Sequence, residues 1–216
     1  MDNEETIKTL EELGFPIEVV KEYIIPHLKP HREYYYNGNI LEEYYIVDGK
    51  INGQYREWLF DGQLWRESTY KDCKLNGPYR VWHENGQLGE ETIYKNDKRE
   101  GPSKKWYPNG QLMLETRYKD EKINGPYKKW YSDGQLMEET IYNNKNGRVN
   151  GSYKKWYPNG QLMEETIYKN GKINGLFKYW YRDGQLIEES IYKNGKREEP
   201  YKKWHRDGQL RANYYI

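Results

Sequence analysis

Several things are scarce in this chain of 216 residues, and each scarcity removes a class of protein. There is one cysteine, Cys73, so no intrachain disulfide framework can hold the molecule together. Lysine and arginine number 35 against 34 acidic residues, a net charge of +1 that supplies no global field to draw the chain to nucleic acid or to an anionic membrane. No apolar run approaches the ~20 residues that span a bilayer. The opening MDNEETIKTL also lacks a basic stretch followed by an apolar one. These absences lead us to expect a cytoplasmic protein. Core-forming residues are thin as well: a hydrophobic share of 35% and a mean hydropathy of −1.25 are too little for a compact two-layer core. In their place stand 24 tyrosines and 8 tryptophans. Rings with an apolar body and a polar tip suit a thin sheet that is wet on both faces.

The aromatic residues keep time. Trp58, Trp82, Trp106, Trp130, Trp156, Trp180 and Trp204 recur every 24 residues except for one step of 26, and a turn glycine keeps the same beat from Gly62 to Gly208. Self-similarity at a fixed short period marks a repeat array. A degenerate unit with Tyr34 and Gly38 precedes them, making about eight.

Within one unit, Asp133-Gly134 lies between two runs rich in aromatic and β-branched residues, the signal for a hairpin closed by a two-residue turn. That turn sets Lys128 opposite Glu139 and Lys129 opposite Glu138, and the same register pairs Lys104 with Glu115, Lys154 with Glu165, Lys155 with Glu164, Lys178 with Glu189 and Arg80 with Glu91. In the unit of Trp58 it pairs Arg56 with Glu67 but Glu57 with Arg66; the charges have exchanged strands and remain opposite, as contact between the two positions requires. The register also places the glycines of the Ile-Asn-Gly tracts opposite tyrosines, Gly125 with Tyr142 and Gly175 with Tyr192 among them, so we expect these rings to cover glycine backbone. Asn170-Gly171 and Asn194-Gly195 supply a second turn that joins hairpin to hairpin. Pro78, Pro102, Pro126 and Pro200 follow the tract and cannot donate to a ladder, which predicts a bulge or break there.

The pattern Gly-x-Tyr-Lys-Lys-Trp-Tyr-x-Asn-Gly-Gln-Leu-x-Glu-Glu-x-x-Tyr-x-Asn-Gly-Lys-x-Asn-Gly resembles the variant MORN repeat, over about residues 31–216. The resemblance implies an all-β fold, an elongated single-layer antiparallel β-meander of about eight 24-residue hairpin repeats. It further implies a non-enzymatic scaffold or binding role, phospholipid binding or antitoxin-like binding as found among relatives, and a bacterial or large-virus source, with the host cytoplasm as the location if viral. Cys73, Asp97 and Glu121 depart from the pattern at the second-turn glycine, and Glu199 at the glycine between units.

Residues 1–30 read as a separate element, a short helical cap or docking segment of two helices over 4–13 and 16–25. Ile17, Val20, Ile24 and Ile25 share one helical face, which can close the first sheet edge or dock a partner; the segment from Leu13 to Leu28 is similar to the opening helix of an F-box, which implies a ubiquitin-ligase adaptor as partner. Alternation along the hairpin puts Trp130, Met137 and Ile141 on one face with Lys128 and Glu139, and Tyr131, Leu136 and Tyr142 on the other with Lys129 and Glu138. The seven tryptophans from Trp58 to Trp204 therefore form a stripe, read either as packing between units or as a groove for a partner.

Function narrows to a protein-interaction scaffold, with a peripheral membrane or phosphoinositide binder as the rival and self-association through the terminal strand as a third reading. Nucleic acid is disfavoured because the register spends nearly every strand lysine on a glutamate. No catalytic, cofactor-binding or metal site is expected: His83 and His205 stand at an aromatic position of the unit, His27 and His31 lack companion ligands, and Cys73 has no neighbouring base.

Overall fold

The computed structural model describes residues 8, 12–14, 29–143 and 147–214. Its elements are strands, and they fall into two units, residues 1–101 and 102–216. The first unit holds β1 (His31–Tyr34), β2 (Ile40–Val47), β3 (Lys50–Trp58), β4 (Leu64–Lys71), β5 (Lys74–Trp82), β6 (Leu88–Lys95) and the opening of β7 (Lys98–Trp106). The second holds the rest of β7 and β8 (Leu112–Lys119), β9 (Lys122–Ile123), β10 (Gly125–Trp130), β11 (Leu136–Asn143), β12 (Arg148–Trp156), β13 (Leu162–Lys169), β14 (Lys172–Ile173), β15 (Gly175–Trp180), β16 (Leu186–Lys193), β17 (Lys196–Trp204) and β18 (Leu210–Tyr214). Apart from Lys8, residues 12–14, Lys29 and Pro30, the expected helical cap lies outside the described residues, and so do Ile17, Val20, Ile24 and Ile25.

Every described pairing is antiparallel, and in each unit the chain meanders from one strand to its neighbour. The charge register is met in full where the ladder is described: Lys128 faces Glu139, Lys129 faces Glu138, Arg56 faces Glu67, and Glu57 faces Arg66.

The hairpin turn differs from expectation. The Gly134 amide donates to the Tyr131 carbonyl at 3.0 Å, the Tyr131 amide donates to the Gln135 carbonyl at 2.8 Å, and only Gly134 of the loop has positive φ, at 88°. This is a three-residue loop, a turn followed by one left-handed residue that glycine occupies without strain, and the Asp133 carboxylate fixes it by accepting the Gln135 amide at 3.0 Å. A bulge then restores the register: Lys129 faces Glu138, but Trp130 faces Leu136, so Met137 is the extra residue. In consequence Leu136 shares a face with Trp130, not the opposite one.

The second turn follows expectation. Lys169 faces Lys172 across Asn170-Gly171, both with positive φ, as a two-residue hairpin of this type demands. The departures keep the same geometry at a conformational cost: Cys73, Asp97 and Glu121 sit at φ 62°, 64° and 67°. The turns at Cys73, Asp97, Gly171 and Gly195 are tied back to the preceding repeat. The Cys73 amide donates to the Ile51 carbonyl at 2.9 Å, the Gly171 amide to that of Val149 at 2.9 Å, and the Asn170 amide to the Asn150 side chain at 3.1 Å.

A break at the Asn-Gly tract is present, but proline is not what sets it: the step occurs beside Pro78 and Pro126 and equally at Ser152 and Leu176. From Thr140–Tyr153 to Tyr142–Val149 the register consumes two residues of β11 and four of β12, and in two repeats the strand is split outright into β9 and β10 or β14 and β15. A hydroxyl fills each such step: Thr116, Thr140 and Thr166 donate to the carbonyls of Pro126, Ser152 and Leu176 at 3.1–3.2 Å. These residues belong to a column, Ser68, Thr92, Thr116, Thr140, Thr166 and Ser190, that is the most deeply buried part of the array, whereas Val47 is the one buried apolar side chain among the described residues. Thr92 and Ser190 donate instead to the carboxylates of Glu90 and Glu188, and the Ser68 hydroxyl is buried without a partner, so a single-layer sheet buries small hydroxyls that are mostly, not wholly, hydrogen-bonded.

Candidate protein-binding face

The two faces of the sheet divide the work. On the first, tyrosines pack in pairs: Tyr127 against Tyr142, Tyr153 against Tyr168, Tyr79 against Tyr94 and Tyr55 against Tyr70, with ring centroids 5.5–5.6 Å apart and edge-on geometry. The expected glycine–tyrosine pairs exist, Gly125 with Tyr142 and Gly175 with Tyr192, but the rings pack on aromatic neighbours instead of glycine. The space beside Gly175 and Gly77 belongs to Ile167 and Thr69 of the adjoining strand. Burial, with Glu138 nearby, pushes the Tyr127 phenol up to about 12, and burial raises Tyr55 and Tyr153 further still. Glu57 and Glu164 on the same face are raised by desolvation, with Arg66 and Lys155 pulling the other way. This face is structural: its rings are covered by one another.

The second face carries two rows that run from strand to strand. The first row is a ladder of alternating charge. In the second unit Lys128 faces Glu115 and Glu139, Lys154 faces Glu139 and Glu165, and Lys178 faces Glu165 and Glu189. The ammonium groups of Lys104, Lys128, Lys154 and Lys178 lie 3.0–3.5 Å from Glu115, Glu139, Glu165 and Glu189. The second row, in the second unit, is apolar. Pro126 faces Ile141, Ser152 faces Ile167 and Leu176 faces Ile191. Ile141 and Ile167 are each 49% exposed, Leu176 is 44% and Ile191 is 56%. A cavity of about 340 Å³ opens on this face, lined by Ser152, Glu165, Thr166, Ile167, Leu176 and Lys178. Four β-branched or leucine side chains in one line, half in water, are an exposed apolar stripe of the kind that binding surfaces carry.

The tryptophan stripe takes a different part. Trp58, Trp82, Trp106, Trp130, Trp156, Trp180 and Trp204 are half-buried, and the backbone carbonyls of four of them serve as anchors. Tyr35 donates its hydroxyl to the Trp58 carbonyl, Tyr107 to Trp130, Tyr131 to Trp156 and Tyr157 to Trp180, at 2.8–2.9 Å. Tyrosines of one turn thus hold the next repeat. His83 and His205 stand at that tyrosine position and close their turns with the same amide bond to Gln87 and Gln209. Cys73 is exposed at its turn, and its sulfur accepts the Ile51 amide at 3.3 Å. Among the described residues no group of acidic, histidine or cysteine side chains has the arrangement of a metal site, and no helix is long and apolar enough to cross a membrane.

Compared with known families, residues 51–72, 75–96, 99–120, 123–144, 149–170 and 173–194 each match the family model of the MORN repeat variant, and together they make up more than half of the chain. No curated protein matches it.

Proposed function

Because this chain belongs to the MORN repeat variant family, a family of non-enzymatic repeats that commonly bind proteins or membranes, we propose that it is a protein-interaction scaffold whose contact surface is the ladder face of the second unit. The observation that carries this reading is the apolar row Ile141, Ile167, Leu176 and Ile191, exposed beside a ladder in which charge is already balanced. An anionic membrane draws on uncompensated lysine. Here Lys104, Lys128, Lys154 and Lys178 each have a glutamate within 3.5 Å, so this stretch of the surface offers lipid headgroups little and a protein partner both apolar area and orienting charge. An adaptor role, in which residues 1–30 recruit a second partner, is the finer form of the same proposal.

The test is affinity capture from cell lysate with the full chain and with an Ile141→Glu, Ile167→Glu, Ile191→Glu variant, alongside co-sedimentation with phosphatidylserine-containing vesicles. The expected result is capture lost in the variant and no vesicle binding. Salt-sensitive vesicle binding that survives the triple substitution and disappears on charge reversal at Lys104, Lys128, Lys154 and Lys178 would replace this reading with the lipid one.

A further inference from the structure

The order of the two rows specifies more than a generic surface. Through β10, β11, β12, β13, β15 and β16 the ladder reads Lys128, Glu139, Lys154, Glu165, Lys178, Glu189, and the parallel row reads Pro126, Ile141, Ser152, Ile167, Leu176, Ile191. Read backwards, the ladder is its own complement in sign. Resting on the reading of this face as a binding surface, we propose that its occupant is a second copy of the chain, docked face to face about a two-fold axis parallel to the strands and lying between β12 and β13.

A two-fold axis in that position sends each strand onto the strand equally far on its other side. Lys154 then meets Glu165 of the second copy, Glu139 meets Lys178, and Lys128 meets Glu189, so all six ladder positions face opposite charge. The same operation brings Ile167 onto Ser152, Ile141 onto Leu176 and Ile191 onto Pro126, a large side chain against a smaller one at the axis and apolar against apolar beyond it. An axis through a strand would set like charge on like, which fixes the docking between strands. The cavity bounded by Ser152, Ile167 and Leu176 lies beside this axis, where the isoleucine of the second copy arrives. Aligned packing of two twisted sheets is a standard way to cover an apolar face. Six strands at ~4.8 Å and about 20 Å along them present roughly 600 Å² per copy, and the total of about 1,200 Å² is the lower limit of a specific interface, so the dimer is concentration-dependent. The first unit offers only part of this match: Pro78 faces Ile93 in its corresponding row, but Gln54 and Thr69 interrupt it.

Sedimentation equilibrium of the full chain over a range of concentrations tests the proposal. A monomer–dimer equilibrium is expected, weakened at least about tenfold by Ile167→Glu. The decisive arm uses two variants, Lys154→Glu and Glu165→Lys. Alone, each places like charges across the two-fold axis and dissociates; mixed in equal amounts, every seam position regains an opposite charge and the heterodimer forms. Circular dichroism of each variant confirms that the array is folded. A full chain that stays monomeric at all concentrations overturns the inference, and if lysate capture still depends on the isoleucine row the scaffold reading survives that failure. A dimer indifferent to these substitutions also overturns it and moves the contact elsewhere, such as the edge of β18.

Discussion

The two units use one repeat position in different ways. In the first unit the ladder is built on arginine: Arg56 reaches Glu67 at 3.0 Å with Nε and Glu43 at 3.5 Å with Nη1, and Arg80 reaches Glu91 at 2.8 Å and Glu67 at 3.2 Å. One guanidinium therefore ties three consecutive strands. In the second unit the position is lysine, and Lys104, Lys128, Lys154 and Lys178 each hold the glutamate across their own hairpin. A planar fork bonds two neighbours at once; an ammonium on a flexible stem is a point charge. The apolar row changes in step: in the first unit Gln54 and Thr69 interrupt it beside Pro78 and Ile93, whereas in the second Ile141, Ile167, Leu176 and Ile191 are exposed along it. The tyrosine face differs too: Glu33, Glu42 and Glu57 stand side by side on β1, β2 and β3, with Arg66 at the end of the row and Tyr55 donating to Glu42, whereas Lys129, Glu138, Lys155 and Glu164 alternate. The first unit is internally tied, and the second leaves surface to be covered.

Alkaline pH should erase this contrast, and it has the largest effect because the tyrosine columns are common to both units. Tyr127 in the second unit is pushed up to about 12, and Tyr55 in the first is raised, in both cases chiefly by burial. The unfolded chain ionises its phenols near pH ~10. Stability from these groups is therefore complete below about pH 10 and is lost as pH climbs through the raised values. Denaturation followed by tyrosinate absorbance should show phenol ionisation and strand loss in one transition well above pH ~10. Smooth titration of all tyrosines near the ordinary value, with the sheet intact, would contradict the packed columns.

Glycine substitution separates the units again, with a smaller effect. Gly77 has φ 139°, and an added Cβ would come within 2.9 Å of the Thr69 Cβ. Gly125 is its counterpart in the second unit, with φ 102° and nothing within 4 Å of such an atom. Gly77→Ala combines backbone strain with a clash and should destabilise by about 2–4 kcal/mol; Gly125→Ala carries strain alone, about 1–2 kcal/mol. Urea denaturation of the two single variants measures the gap, and equal losses would mean that Thr69 yields freely.

Much of this architecture was legible in the residues. The eight hairpins, the pairing of Glu57 with Arg66, the second turn at Asn170-Gly171 and an irregular step at the Asn-Gly tract all follow from spacing, because each depends on local chemistry that recurs with the period; proline, the expected cause of the step, is absent from it at Ser152 and Leu176. The hairpin loop was misread for a physical reason. A three-residue loop takes up Ser132, the bulge at Met137 returns the residue, and the two offsets cancel, so Lys129 faces Glu138 under either turn. The buried hydroxyl column was open to view as a recurring Ser or Thr from Ser68 to Ser190. A small polar side chain nevertheless reads as a surface residue until the irregular step in the next strand, and the carbonyl it presents, are known. The tryptophans were read as a stripe of rings, whereas what the neighbouring tyrosines grasp is the backbone carbonyl. The exposed row passed unremarked because Ile141, Ser152 and Leu176 lie far apart in sequence and meet only through the ladder.

The smallest predicted effect probes the arginine–lysine contrast itself. Arg56→Lys removes the fork between Glu43 and Glu67, and with side chains 10–33% exposed the loss should be about 0.5–1 kcal/mol. The reciprocal Lys154→Arg places a guanidinium between Glu139 and Glu165, which already face that position from either side, and should raise stability by about 0.3–0.5 kcal/mol. Lys154 and Glu165 are each 41% exposed, so water screens this pair more than its counterpart in the first unit. Both shifts should shrink in high salt, where exposed charges are screened within ~3 Å. If Arg56→Lys lowers the denaturation midpoint while Lys154→Arg leaves it unmoved, the second unit's glutamates are not free to converge on one cation. Its ladder would then act as separate hairpin clasps, with the remaining lone pairs of each carboxylate turned towards whatever covers that face.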